Sequence, residues 1–337
     1  MKSEAGIPVI SAKVVKDGRI IGPIEQMIAP DYYHEWMRRG LPSIGDVVMT
    51  TEGPLGEVAR LNATTAKYAL GQRVVTLRGK RDLLDNGFLK YLLLSAPIQE
   101  RLHARATGST VAGISQKSLR EMLIPLAPID EQREIAAILG ALDDKIEVNR
   151  KTAVTLEEMA RALYRSWFVD FDPVWAKLEG RAPAHMDPAT AALFPNSFGD
   201  DGLPEGWISG VLGDLARNSR QGADPRLIAA DTPYIGLEHI PRRSIAISDW
   251  GVADDVGSTK SVMQTGQFLF GKLRPYFHKV GLVPINGICS TDILVIEAKS
   301  DIWREFVLSV ISSVDLVEHV NAASTGTRMN RAGFAGG

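Results

Sequence analysis

Apolar residues recur at alternating intervals of four and three positions through the middle of the chain, over 33 residues. The series is Ile135, Leu139, Leu142, Ile146, Asn149, Ala153, Leu156, Ala160, Leu163 and Trp167. This heptad pattern is typical of a helix that packs along another helix, and it predicts a rod about 50 Å long. Asn149 is the polar member of the series. A buried Asn there would fix the register and orientation of the partner, and a frayed, partly solvated position is the alternative.

Local chemistry predicts where this helix begins and ends. Pro125 and Pro128 oppose a helix before it, and Asp130 is expected to cap the free amides of its first turn. The pair Asp172-Pro173 is expected to close the far end, because a residue before proline avoids helical geometry.

The segments on either side of the helix predict shorter elements. Before it we expect strands at Pro8–Ile10, 45–49 and 73–77, a turn at 53–56, and a helix from about Gly87 to Arg105 that Pro97 kinks or divides. After it, residues 174–206 are rich in Pro, Ala, Gly and Asp without sustained periodicity. They predict a linker with one short helical turn near 188–193.

The second half of the chain repeats the first. Four segments match in order: 7–10 with 232–235, 45–49 with 266–270, 88–90 with 306–308, and 107–109 with 325–327. The offset drifts by only seven residues, so we expect two copies of one domain joined by the long helix. The second copy opens at Leu203, and by the offset of this repeat its counterpart in the first copy would lie before residue 1. The counterpart of the long helix would lie beyond Gly337. We therefore expect an interior portion of a longer protein, or a short version that pairs with another chain.

Composition narrows the class of protein. The chain has 337 residues, 45% hydrophobic and 23% charged, which suits two globular domains. Its single cysteine, Cys289, excludes a disulfide framework and suggests the cytoplasm. The first eleven residues show no signal pattern, and the apolar runs are too short to cross a bilayer, so no membrane role is expected.

The net charge of −2 is unevenly distributed. Residues 1–128 carry 17 basic and 12 acidic side chains, and 129–172 carry 6 and 10. The corresponding numbers are 2 and 5 for 173–206, and 13 and 13 for 207–337. Acidic residues are thus concentrated in the helix and linker, and the basic first part permits a DNA-binding face without arguing strongly for one.

This organisation, together with several short motifs, resembles the DNA-specificity subunit of type I restriction-modification systems. Ile124–Gln132 followed by the long helix and Ser166–Pro173 is similar to the central spacer of that family. Leu203–Trp207 is similar to the opening of its target recognition domains, and Gly271–Tyr276 and the Thr-Gly pairs at 107–108 and 325–326 are similar to segments within them. The resemblance covers nearly the whole chain.

The resemblance implies an α+β fold, with two similar target recognition domains built on small sheets and joined by a coiled-coil-type spacer helix. The expected boundaries are 1–128 for the first domain, 129–172 for the spacer, 173–202 for a linker and 203–337 for the second domain. It further implies a non-catalytic subunit that reads a bipartite site in double-stranded DNA. Its partners would be adenine methyltransferase subunits docked on the spacer helix and an endonuclease/translocase subunit joined through the complex. Methyl donor and ATP would belong to those partners, and self-association through the unpaired helix is a further expectation.

Candidate contact residues follow from polar and basic positions in the two repeats. The predicted DNA-binding set is Lys272, Arg274, His278, Lys279, Thr325, Thr327, Arg328, Asn330, Thr107 and Ser109. A basic group interleaved with aromatic residues is also what an ordinary solvated turn looks like. The predicted docking seam is Ile135, Leu139, Leu142, Ile146, Asn149, Leu156, Leu163 and Trp167.

Two other classes of function are compatible with parts of the sequence. The segment that ends in Glu297-Ala298-Lys299, with Asp292 upstream, resembles a magnesium-dependent nuclease strand. However, both acids lie on one strand, and the first repeat has Arg78-Gly79-Lys80 at the matching place, which favours an edge strand with a charged end. A purely structural coiled-coil dimeriser would explain the helix and leave the repeats without a purpose. We predict no catalytic residues and no metal site, since the six histidines never fall at ligand spacing.

Overall fold

The computed structural model describes residues 2–3, 6–108, 111–254 and 257–323. The chain divides into two compact units, Met1–Val148 and Asn149–Gly337. We call these the first unit and the second unit and describe each by itself.

The first unit contains nine short strands and four short helices among its described residues. The strands are β1 (Lys2–Ser3), β2 (Ile7–Ile10), β3 (Val15–Lys16), β4 (Arg19–Ile20), β5 (Met27–Ile28), β6 (Val47–Thr51), β7 (Leu55–Arg60), β8 (Ala69–Leu70) and β9 (Val74–Leu77). The helices are α1 (Tyr33–Trp36), α2 (Asn86–Leu94), α3 (Ala96–Ala104) and α4 (Gln116–Arg120). Described strands form sheets in the orders β1-β5-β2-β8 and β7-β6-β9, and β3 pairs with β4.

The long helix, α5 (Ile129–Phe168), is continuous over 40 residues, about 60 Å at helical rise. Its residues up to Val148 belong to the first unit and those from Asn149 to the second. The predicted spacer helix is therefore confirmed as one unbroken element.

The second unit follows α5 with helices α6 (Asp172–Leu178), α7 (Pro188–Ala192) and α8 (Leu212–Leu215). Its strands are β10 (Ala216–Ser219), β11 (Gly222–Ala223), β12 (Pro233–Ile235), β13 (Gly251–Val252), β14 (Lys260–Met263), β15 (Phe268–Gly271), β16 (Val280–Leu282), β17 (Gly287–Cys289) and β18 (Ile293–Ala298). Helices α9 (Arg304–Ile311) and α10 (Val314–Ala322) follow. The strand orders among the described residues are β10-β18-β15-β16 and β11-β14-β17-β12-β13.

The strands of the two units pair in the same register. In the first unit, β6 lies between β7 and β9, with Val47 opposite both Arg60 and Leu77. In the second, β15 lies between β16 and β18, with Phe268 opposite both Leu282 and Ile296. Each unit also has one parallel pair at matching positions, β2 with β8 and β12 with β17.

A glycine before the central strand shows the same correspondence. Gly45 and Gly266 have φ of 89° and 90°, a conformation that glycine adopts without steric cost. The amide of each donates to a carbonyl one residue past the neighbouring strand, that of Leu61 and that of Val283 respectively. The repeat predicted from the sequence is therefore present at the level of backbone geometry.

Apolar residues from the central strands and the following helix pair form a core in each unit. In the first, Val47 and Met49 pack with Leu89, Leu93 and neighbouring residues. In the second, Phe268 and Phe270 pack with Val307, Ile311 and their neighbours. The two units thus share an α+β architecture in which two adjacent helices cover one small sheet, and the predicted fold class is confirmed.

Four local expectations need correction or completion. Helix α5 begins at Ile129, so Asp130 lies inside its first turn and pairs with Arg133 at 3.1 Å instead of capping it. Pro173 does not end helical structure, because it occupies the first turn of α6, where proline is tolerated.

The helix expected at Gly87–Arg105 is divided, with Ser95 between α2 and α3 and Pro97 in the first turn of α3. The predicted linker contains α6 as well as the expected short helix α7. Its aromatic side chains are packed, with the rings of Trp175 and Phe198 4.5 Å apart, which a search for periodicity does not detect.

Candidate nucleic-acid interface

The turn between β15 and β16 carries the predicted basic group of the second unit. Arg274 and His278 both have left-handed backbone conformations, with φ of 52° and 50°. Such conformations are uncommon outside glycine, and they cluster at functional sites. In the first unit, the turn between β6 and β7 places Gly53, with φ of 51°, before Pro54, just as Arg274 precedes Pro275. Both units therefore have a left-handed residue before a proline at this position, but the turn of the second unit is longer, with eight residues between its strands (272–279) against three (52–54), and it presents a different side chain.

Arginine side chains surround one aromatic ring in this turn. The guanidinium carbon of Arg274 lies 6.0 Å from the centroid of the Phe277 ring, and that of Arg242 lies 4.0 Å from it. Arg274 is exposed, and Tyr276 beside it is 55% exposed. Lys272 is partly exposed at the start of the turn, where its amide donates to the Asp292 carbonyl at 2.9 Å. The result is a cationic and aromatic surface formed by two loops.

Sequence reasoning missed the second of these loops. Pro241-Arg242-Arg243 precedes the basic turn by some 30 residues, and Arg243 also has a positive φ, of 55°. Its amide donates to the His278 carbonyl at 2.9 Å, which ties the loop to the turn. The adjacent arginines in a Pro-containing loop were the available signal.

Two members of the predicted set are engaged internally. His278 is only 7% exposed and its Nε2 lies 2.9 Å from the Ser312 carbonyl oxygen. Burial lowers the pKa of His278, so a neutral ring is favoured. The ammonium of Lys279 donates to the Leu237 carbonyl, and burial lowers its pKa as well. We correct the prediction for His278, which lies in the interior beneath the turn, and we assign Lys279 chiefly a structural role.

Thr107 lies beside the corresponding turn of the first unit. It pairs in both directions with the backbone of Gly113, at 2.8 and 3.0 Å, and Gly113 is bridged to Glu52 of the β6–β7 turn. Thr107 is therefore placed next to the turn that corresponds to the basic turn of the second unit. The remaining predicted positions, Ser109, Thr325, Thr327, Arg328 and Asn330, lie outside the described residues and stay predictions.

The predicted docking seam on α5 is largely exposed. Leu142 and Ile146 are 57% and 46% exposed, and Ile135, Leu156 and Leu163 are exposed to a similar degree. Asn149 is exposed, and Leu139 is half-buried. A row of large apolar side chains at heptad spacing is unusual on a solvated helix face. It marks a surface that fits a second helix.

A different stripe of α5 packs on the first unit. Gln132 is fully buried, donating from Nε2 to the carbonyls of Leu83 and Ala127 at 3.1 and 2.7 Å and accepting from the Asp85 amide at 2.9 Å. These three hydrogen bonds satisfy the buried side-chain amide of Gln132, and they fix the position of the first turn of α5.

Three helical turns after Gln132, Asp143 of α5 forms hydrogen bonds with two side chains of α2. Its Oδ2 accepts from Lys90 Nζ at 2.5 Å and from the Tyr91 hydroxyl at 2.8 Å. Burial and this bond to Asp143 raise the pKa of Tyr91. These polar contacts hold α5 to the first unit and leave most of the apolar seam exposed.

The second half of α5 packs on the second unit in a similar way. Glu157 accepts from the Ser244 hydroxyl at 2.9 Å and the Ile245 amide at 2.8 Å, and Arg161 donates to the Arg243 carbonyl at 2.9 Å. These bonds connect α5 to the loop that carries Arg242.

Near the end of α5, aromatic packing replaces the polar contacts. The Phe168 ring lies 5.2 Å from that of Phe306 and 5.8 Å from that of Trp207. The Trp167 ring lies 5.7 Å from that of Phe194 and is half-buried. Trp167, predicted as a seam residue, therefore packs within its own unit, and the exposed seam ends at Leu163.

The side chains that the nuclease alternative would use for catalysis form structural contacts within the second unit instead. Glu297 on β18 pairs with Arg217 on β10 at 3.1 Å, and Lys299 donates to the Gly213 carbonyl at 2.5 Å. Strand β18 is not an edge strand as expected, since it lies between β10 and β15. Within the described ranges, no group of three His, Cys, Asp or Glu side chains could hold a metal ion.

Residues 3–158 match the family described as type I restriction modification DNA specificity domain. The MjaIX type I restriction enzyme specificity subunit of Methanocaldococcus jannaschii is 28% identical over 205 residues, which is 58% of this chain and 42% of that protein. The HindI specificity subunit of Haemophilus influenzae is 33% identical over 114 residues, 33% of this chain and 25% of that protein. Both matches span less than half of the relative's own length.

Solved structures of similar proteins were also found. The type I restriction-modification system S subunit from M. genitalium is 17% identical, with 99% of this chain and 80% of that chain covered and a TM-score of 0.48. The HsdS subunit from Thermoanaerobacter tengcongensis is 16% identical, with 96% and 78% covered and a TM-score of 0.34.

These matches agree on one class of relative. Residues 3–158 are similar to the type I restriction modification DNA specificity domain, and the predicted resemblance to the specificity subunits of these systems is confirmed. The curated relatives are named as specificity subunits, in agreement with the prediction that the chain is not itself an enzyme. Among the residues that the structure describes, no helix combines the length and apolar character needed to span a membrane.

Proposed function

We propose that this chain is the DNA-recognition subunit of a type I restriction-modification complex and acts in the cytoplasm. It reads a bipartite site in double-stranded DNA, with one part of the site read by each unit. The methyltransferase and endonuclease/translocase subunits supply the chemistry, including the methyl donor and ATP.

The shared architecture of the two units supports this proposal most strongly. A corresponding central strand, paired in the same register, leads into a turn with a left-handed residue before a proline in each unit. Repeated readers on one polypeptide suit a DNA site in two parts. Different side chains at matching positions, Gly53 and Arg274, then allow each unit to recognise different bases.

The proposed contacts include both kinds that DNA-binding proteins use, those that position the protein on the DNA backbone and those that recognise bases. Arg274 and Arg242 present guanidinium groups beside Phe277, and Lys272 adds a third positive charge to the same turn region. Arginines bind phosphates or the edge of guanine, and aromatic residues support stacking. In the first unit, Thr107 beside the β6–β7 turn is the corresponding proposed contact.

The exposed seam of α5 is the proposed docking surface for a methyltransferase subunit. It offers Leu142, Ile146, Leu156 and neighbouring apolar residues at the spacing that a partner helix needs. The alternative occupant is the same helix from a second copy of this chain. The two occupants are distinguished by whether the chain dimerises in the absence of methyltransferase subunits.

Removal of the Arg274 guanidinium tests the DNA contact. Arg274→Gly is the appropriate change because glycine adopts the left-handed φ of 52° found at Arg274 without steric cost. The control is Arg226→Ala, which also removes one positive charge. Arg226 lies on another loop of the same unit, where it pairs with Asp224. We expect Arg274→Gly to weaken binding of target duplex by the assembled complex about tenfold and to lower the salt slope by about one. Unchanged affinity and slope would exclude Arg274 as a contact.

A further inference from the structure

The loop that carries Arg242 lies between α5 and the basic turn of the second unit. Arg243 uses both of its backbone groups there. Its amide donates to the His278 carbonyl in the turn at 2.9 Å, and its carbonyl accepts from the guanidinium of Arg161 on α5 at 2.9 Å. One residue of the loop thus joins the long helix to the turn.

Ile245 makes a second connection of the same kind. Its amide donates to the Glu157 carboxylate of α5 at 2.8 Å, and its carbonyl accepts from the Leu282 amide at 2.9 Å. Leu282 lies on β16, the strand that follows the basic turn. Ser244, between the two bridging residues, donates its hydroxyl to Glu157 at 2.9 Å. The loop is therefore held from both sides.

The two α5 side chains also hold each other. Arg161 donates to Glu157 at 2.5 Å across one turn of the helix. The Glu157 side chain is only 10% exposed, and hydrogen bonds accepted by a carboxylate are stronger than those between neutral groups. A buried carboxylate that lost these donors would be costly, so the arrangement is favoured over one in which the loop moves away from α5.

The first unit has a matching contact between α5 and the corresponding loop. Gly18 lies eight residues after the end of β2, and Arg243 lies eight residues after the end of β12. Both have a left-handed backbone, with φ of 77° and 55°. The guanidinium of the next residue, Arg19, lies 3.6 Å from the carboxylate of Glu147 on α5. In each unit, a glutamate of the long helix thus contacts the residue after the left-handed position.

The position of this loop in the second unit decides where the guanidinium of Arg242 lies. That group lies 4.0 Å from the centroid of the Phe277 ring in the basic turn, and the guanidinium of Arg274 lies 6.0 Å from the same centroid. The two arginines come from different loops, so the spacing between them depends on how the loops are held together. The contacts of Arg243 and Ile245 fix that arrangement from the side of α5. Binding sites need such supporting hydrogen bonds to keep their contact groups in place.

We propose that Glu157 and Arg161 of α5 are positioning residues for the DNA contacts of the second unit. They hold residues 243–245 against the basic turn, and the loop thereby sets the spacing of Arg242 and Arg274. This inference rests on the proposed DNA contacts of those two arginines. It gives α5 a role that is separate from its exposed seam.

Amide hydrogen exchange of the full chain tests this support without DNA. Glu157→Ala removes the acceptor of the Ile245 amide, and Glu158→Ala is the control because it removes the same charge from an exposed neighbour. We expect Glu157→Ala to speed exchange about tenfold at Ile245 and also at Arg243, whose amide bonds to the basic turn and not to Glu157. Glu158→Ala should change neither. Unchanged exchange at Arg243 in the folded Glu157→Ala variant would overturn the proposal.

A milder variant covers the case in which Glu157→Ala does not fold. Ser244→Ala removes one of the two bonds that the loop donates to Glu157 and leaves the carboxylate in place. We expect it to speed exchange at Ile245 and Arg243 about threefold. No change at either amide would count equally against the proposal.

A double-mutant cycle measures the effect on DNA binding by the assembled complex. The probe is a duplex enriched from a random pool by the complex that contains the unmodified chain. We expect Glu157→Ala and Arg242→Ala each to weaken binding about tenfold, and the double variant to lose no more than about thirtyfold, because both changes act on the same guanidinium. Glu157→Gln should stay within about twofold of the unmodified chain, since its side-chain oxygen still accepts from the Ile245 amide.

The outcomes separate this inference from the proposed function. A loss of about a hundredfold in the double variant, or a loss for Glu157→Gln equal to that for Glu157→Ala, would overturn the positioning role. If Arg242→Ala and Arg274→Gly leave duplex binding unchanged while Glu157→Ala still speeds exchange at Arg243, the proposed DNA contacts fail and the support of the loop by α5 stands.

Discussion

The exposed seam of α5 can be tested with a double substitution at its centre. Leu142→Asp and Ile146→Asp place two carboxylates where 57% and 46% of the apolar side chains are exposed. Full burial of such a side chain contributes about 1.5–3 kcal/mol, so covering the exposed halves of both would contribute about 1.5–3 kcal/mol in total. Loss of that burial weakens association about 10- to 150-fold, and the cost of desolvating two carboxylates weakens it further.

The assay is co-purification and titration of the chain with its methyltransferase subunit. The control is Ala137→Asp with Ala141→Asp, which adds the same charges with the same spacing at exposed positions of α5 away from the seam. We expect the seam variant to lose the partner and the control variant to retain it, with thermal unfolding of both close to that of the unmodified chain. Retention of full affinity by the seam variant would refute the docking role of this surface.

Three further predictions concern buried side chains and their partners. Gln132→Leu should cost about 2–3 kcal/mol in urea unfolding, because it leaves the Asp85 amide without its acceptor, while Glu131→Leu at an exposed neighbour should cost little. Cys289 is buried, which raises its thiol pKa to about 12, so it should react with Ellman's reagent only after unfolding; rapid reaction of the folded chain would contradict this. Burial favours the neutral form of Asp46, but bonds from Arg78 and Ser43 outweigh it and lower its pKa. Arg78→Ala should therefore cost about 1–3 kcal/mol at neutral pH. The difference should shrink as pH falls through the folded-state pKa of Asp46, and a gap that is constant with pH would argue against the pair.

The sequence was most informative where one pattern extends over many residues. The heptad series predicts α5 because each apolar residue adds to the same periodic signal, and the helix is unbroken from Ile129 to Phe168. The repeat was detectable from Gly45 and Gly266 because both satisfy the same backbone requirement, a positive φ before the central strand. Such signals depend on residues that are neighbours in the sequence, so they can be recognised without knowledge of tertiary contacts.

Other features depend on contacts between distant residues and could not be predicted. Gln132 is part of a motif that the sequence singled out, but its burial follows from groups near position 83 that only folding brings to it. His278 belongs to a basic run and still lies inside, because its ring nitrogen finds the Ser312 carbonyl. Arg242 joins the candidate surface through Phe277, 35 residues later in the chain.

The most direct test of the account is selection of bound duplexes from a random pool by the complex assembled from this chain and its methyltransferase subunits. We predict two specified segments separated by unspecified bases. Thr107→Ala should relax one segment and Arg274→Gly the other. Enrichment of a single continuous segment, or relaxation of both segments by either change, would contradict the assignment of one part of the site to each unit.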